Sequence, residues 1–158
     1  MISALFKKSF ISASILIVAS YSSQLMAHSA GATIDGGGGN ASATDLAQVF
    51  CYDDGNGQPD HLVVQIKDLS PPVSGLLLSA QIYGGNKMTN VTDTVSGDVA
   101  ASNEAVLVGG ERLSDGVQLY YISVSKTKAG VRNFEIIYHC MGSFSTHVGT
   151  DITVLQVQ

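Results

Sequence analysis

Val131-Arg132-Asn133-Phe134-Glu135-Ile136-Ile137-Tyr138-His139-Cys140 opens the last segment of the chain, Val131–Gln158, and decides how its fold is read. Phe134, Ile136, Tyr138 and Cys140 alternate with Asn133, Glu135, Ile137 and His139. A period of two sends one set of side chains into a core and the other outward, the pattern of a half-buried β-strand. Tyr138 and Cys140 then belong to the core, and His139 to the opposite face. His147 follows beyond the tip Met141–Thr146, so a hairpin brings the two imidazoles near each other across two strands.

Working back from this hairpin, other short runs repeat the pattern. Leu46–Tyr52, His61–Asp68, Leu76–Tyr83, Met88–Val95, Ala105–Val108 and Val117–Ser125 read as strands, with Ala32-Thr33-Ile34 at most a short edge strand. Leu46–Tyr52 and His61–Asp68 read as a hairpin with a long tip. Pro71-Pro72, Gly84-Gly85-Asn86 and Gly109-Gly110 interrupt the runs. No helical window competes. Seven to nine strands in one all-β domain predict an antiparallel β-sandwich.

The N-terminal segment has a different character. Lys7 and Lys8, the apolar run Phe10–Ala19 and the small, polar stretch ending Leu25-Met26-Ala27 read as a secretory signal over residues 1–27. The run falls short of the roughly 20 apolar residues that span a bilayer, so no membrane span is expected. The expected product is an exported, periplasmic or extracellular domain of residues 28–158. An oxidising compartment and only two cysteines predict one disulfide, Cys51–Cys140. Subtracting Lys7 and Lys8 from the 8 Lys+Arg leaves 6 against 13 Asp+Glu, a formal charge of −7. That balance argues against nucleic acid as a partner and is compatible with cations.

Tyr138-His139-Cys140 resembles the immunoglobulin-type strand in which a tyrosine stands two residues before the second cysteine. The resemblance implies an Ig-like or cupredoxin-like sandwich and no function.

Function is sought among the histidines. Cleavage after Ala27 gives His28 a free α-amine beside its own imidazole, a chelating pair whose amine loses its proton to a metal at neutral pH. A second imidazole from His139, His147 or His61 completes three nitrogens, a set suited to copper. This arrangement resembles the histidine brace of lytic polysaccharide monooxygenases and their non-catalytic relatives, and the N-terminal histidine of periplasmic copper carriers. The resemblance implies copper as the bound metal. A copper oxygenase is a third reading, but the chain has no Trp and few loop aromatics, Phe144 and Tyr83 foremost, to seat sugar rings. Binding, delivery or buffering of copper is therefore preferred to catalysis.

Two alternatives stand beside this one. A metal-free structural or interaction module would use the loops Gly84–Asn90 and Gly142–Thr146 against a protein or glycan. A cation loop would draw on Asp53, Asp54, Asn56 and Asp60. Pro59 takes the place of the glycine that a calcium loop requires, and Gln65 that of its bidentate glutamate, so calcium is not expected there. The same residues make a turn without any ion. There is no Gly-x-Ser-x-Gly or His-Glu-x-x-His, so hydrolytic chemistry is not expected.

Overall fold

The computed structural model describes residues 28–158; the expected signal segment, 1–27, lies outside the described residues. In chain order the strands are β1 His28–Ile34, β2 Thr44–Tyr52, β3 Pro59–Asp68, β4 Leu78–Gly84, β5 Lys87–Thr92, β6 Ala105–Val108, β7 Glu111–Arg112, β8 Gln118–Lys126, β9 Arg132–Gly142 and β10 Gly149–Gln156. They form two antiparallel sheets. The first has the order β1-β9-β3-β6, and the second β10-β2-β8-β4-β5 with β7 also paired to β8. The ten strands exceed the expected seven to nine, the surplus including the two-residue β7.

Alternation explains the packing. Phe134, Ile136, Tyr138 and Cys140 of β9 and Leu62, Val64 and Ile66 of β3 face inward from the first sheet. Val49 and Cys51 of β2, Tyr120, Ile122 and Val124 of β8, and Leu78, Ala80 and Ile82 of β4 meet them from the second. Cys51 and Cys140 are bonded, tying β2 of one sheet to β9 of the other across 89 residues, with Cα atoms 5.4 Å apart. In a chain-entropy account a loop of that length stabilises by about 4 kcal/mol. Among the described residues no helix is long and apolar enough to cross a membrane.

Three local expectations are corrected. β2 and β3 are not a hairpin: β2 is flanked by β10 and β8, leaving no edge free, and the Asp53–Gln58 loop carries the chain to the other sheet. The terminal hairpin is likewise only a tip. Met141 bridges to His147, after which the chain crosses to pair β10 with β2. Gly149 permits the crossing, since a Cβ there would overlap the Tyr52 ring. The N-terminal edge strand is seven residues, not three, because β9 offers an open edge along its length to His28–Ile34.

Register defines two poles. At one, β1 and β3 begin, β9 ends and β10 begins, through the pairs His28 with Tyr138, Pro59 with Gly142, and Gly149 with Tyr52. At the other, β1 ends at Ile34 opposite Arg132, β3 ends at Asp68, and β8 ends at Lys126.

Candidate metal centre

All four histidines of the chain stand at the first pole. His139 leaves the outer face of β9, between Tyr138 and Cys140, which are buried on the inner face. The disulfide at Cys140 thus anchors the strand directly beside it. His147 lies just past the tip, and its ring meets that of His139 edge to face, with centroids 4.9 Å apart.

His139 Nδ1 is buried and makes no hydrogen bond. A buried polar atom without a partner is costly and uncommon in folded proteins. Burial, with the nearby His147 and His28 adding to it and Glu104 opposing, lowers the His139 pKa below the ordinary histidine value. The ring is therefore held neutral at pH 7, the form that presents a lone pair to a metal.

His28 begins β1 opposite Tyr138, and their rings lie 5.9 Å apart. A directly paired residue shares a face with its partner, so the His28 ring is on the Tyr138 side of the sheet and not on the His139 side. Its charge nonetheless reaches His139. His61 opens the outer row of β3, with Nδ1 2.9 Å from the Asp60 carboxylate, which orients the ring. Its cross-strand partner is Met141.

The structure thus brings His139 and His147 together, sets His28 at the neighbouring strand end, and keeps His61 one strand away against Asp60. Among the described residues no three His, Cys, Asp or Glu side chains converge on one point. Met141 escaped the sequence reading. Two residues after His139 in an alternating strand, it shares that outer face, and the periodicity that placed His139 also places Met141.

The Asp53–Asp60 loop is closed on itself. Asp53 Oδ1 accepts from the Gly55 and Gly57 amides and Oδ2 from the Gln58 amide, while Asp54 accepts from Asn56 N. Those amides hold the Asp53 pKa below the usual carboxylate range. Asp60 is engaged by His61. The carboxylates serve the turn.

Compared with protein-family models, with curated proteins and with solved structures, the chain matches none.

Proposed function

We propose that this protein is an exported copper-binding protein that holds or hands on the ion at the histidine pole. The observation that carries the reading is the His139–His147 pair: two imidazoles at 4.9 Å, one with a buried nitrogen that no protein group satisfies. A neutral ring with an unpartnered nitrogen, on a strand anchored by a disulfide, is pre-organised for a metal.

His28 supplies further donors once the chain begins there. Continuing the β1–β9 register one step beyond His28 leads to His139, so the α-nitrogen of such a chain lies at the strand end beside that ring. The His28 imidazole lies on the Tyr138 face, so for it to join the α-nitrogen at the ion it would have to turn off Tyr138. Binding and delivery are favoured over turnover because Phe144, fully exposed, is the only aromatic residue in the tip Met141–Thr146 and offers no flat platform.

Mass spectrometry of the exported protein gives its first residue, and calorimetric titration with Cu(II) gives the stoichiometry. A start at His28 with one-to-one binding is expected, weakened by His28→Ala and by an extra residue ahead of His28, and abolished by His139→Ala with His147→Ala. Failure of the folded protein starting at His28 to bind copper overturns the reading.

One observation favours a second reading, the metal-free interaction module. Phe144 is 100% exposed, on a tip where Phe144 and Ser145 both take left-handed backbone angles, φ 61° and 58°. A bulky apolar side chain held out in that way is suited to a partner's pocket. Capture of a partner that is lost in Phe144→Ala, by a protein that takes no copper, would favour it.

A further inference from the structure

We infer that the copper this pole takes is Cu(I), with the Met141 thioether as the third protein donor beside His139 and His147; this rests on the copper reading above.

The placement follows from hydrogen bonding. Gly142 N donates to Thr146 O at 2.7 Å and Val148 N to Cys140 O at 3.1 Å, so the bonds flank the Met141–His147 bridge rather than join its members. This is the non-hydrogen-bonded kind of antiparallel pair, in which facing side chains come closest. Met141 is also the cross-strand partner of His61 on its other side, and shares the outer face with His139 two residues earlier. The thioether therefore sits in a row of His61, Met141 and His147, next to the His139 ring that meets His147 edge to face.

Two nearby donors are committed elsewhere. Cys140 points inward and is spent in the disulfide. Asp60 is taken by His61. Since no three His, Cys, Asp or Glu side chains converge among the described residues, the imidazole and carboxylate donors described there stop at two for this point. A third must come from sulfur or from the chain start.

Two imidazoles and a thioether make a soft set of low coordination number. Such a set selects Cu(I), whereas Cu(II) asks for a tetragonal set of nitrogen and oxygen donors. The partial burial of Met141 and His139 favours the univalent ion further, because the cost of removing a charge from water rises with that charge. A methionine here has no packing duty in the core, which lies on the other face of β9.

The test uses the folded protein starting at His28. Cu(I) affinity is read anaerobically by competition with bicinchoninate, and Cu(II) affinity by titration, for the wild type and for Met141→Leu, which keeps the volume and removes the sulfur. Cu(I) affinity should fall by more than the roughly tenfold that outer-shell changes cost at metal sites. Cu(II) affinity should stay within about twofold, well inside the 1.4 kcal/mol that a tenfold change represents. X-ray absorption of the wild type loaded with Cu(I) should show a copper–sulfur distance that Met141→Leu lacks. Unchanged Cu(I) affinity in Met141→Leu, or an absorption spectrum without sulfur, overturns the Met141 assignment while leaving copper binding intact. Equal losses for both oxidation states overturn the selectivity. A wild type that binds copper in neither state fails the earlier reading as well.

Discussion

The two poles of the sandwich differ in what surrounds their buried polar groups. At the pole away from the histidines, Lys126 Nζ donates to Asp35 Oδ2 at 2.8 Å, Asn40 O at 2.6 Å and Lys128 O at 2.9 Å, using all three of its protons. Asp35 also accepts from Gly130 N and Asn40 N. Nearby, Arg132 faces the Asp68 carboxylate at 3.7 Å and donates to Pro71 O and Ser96 Oγ, with both members of the pair 1% exposed. Compensation there is incomplete, because Arg132 Nε and Asp45 Oδ2 are buried without a hydrogen-bond partner; at the histidine pole the buried atom without one is His139 Nδ1, on a ring in edge-to-face contact with a second imidazole. The far-pole atoms without a partner belong to side chains whose other polar atoms are hydrogen-bonded, whereas that of His139 adjoins a second imidazole.

The strongest way to break this contrast is to remove one member of a compensated pair. Arg132→Ala leaves Asp68 buried without its counter-ion and should cost about 3–5 kcal/mol. Urea denaturation checks the loss, and copper titration under folding conditions should be unchanged, because the substitution lies at the far pole. A copper affinity that falls with Arg132→Ala would show that the poles are not separable.

A smaller effect concerns acid. Hydrogen bonds from Lys126 and the Gly130 amide hold the Asp35 pKa down to about 2, below the ordinary 3.8. The folded state therefore binds that proton less readily than the unfolded chain. The stabilisation is complete above about pH 4 and is lost as pH falls toward 2. Asp35→Asn should flatten the stability curve in that window and lower stability at pH 7. Asp45 is the opposite case at the same pole. One oxygen accepts from Gln158 N, the other has no partner, and burial raises its pKa. Its ionised form is disfavoured by folding at neutral pH, so Asp45→Asn should raise the melting temperature at pH 7 and lose that gain below about pH 4. Equal slopes for the two variants between pH 2 and 4 would contradict the assignment of partners.

How much of this was readable beforehand differs by feature. The inward placement of Tyr138 and Cys140 and the outward placement of His139 followed from a period of two, and the disulfide from there being two cysteines. Strand partners were another matter. β1 carries Ala30, Gly31 and Ala32, which have little apolar signal of their own, and pairs because β9 has an open edge. The crossing after His147 depends on a glycine fitting under Tyr52, a contact between distant segments. The Asp35–Lys126 pair spans 91 residues, and nothing in either local stretch points to the other. At the candidate site, the nearness of His139 and His147 was readable from the tip length. The separation of the His28 ring on the Tyr138 face needed the β1 register.

The smallest change tests the unpartnered nitrogen directly. His139→Leu removes a buried nitrogen that has no partner and replaces it with a side chain that asks for none, so the copper-free protein should keep its stability or gain up to about 1 kcal/mol. The pH dependence gives an independent sign. Because the His139 pKa is lowered on folding, the unfolded chain binds the proton more readily, and the wild type should lose stability as pH falls below the unperturbed value of about 6.5. That acid-side loss should shrink in His139→Leu, measured by urea denaturation between pH 7 and 5, while copper binding is lost. A variant less stable at pH 7 by more than about 1 kcal/mol would mean that the ring is packed for the fold, as the charged pairs of the far pole are, rather than kept for a ligand.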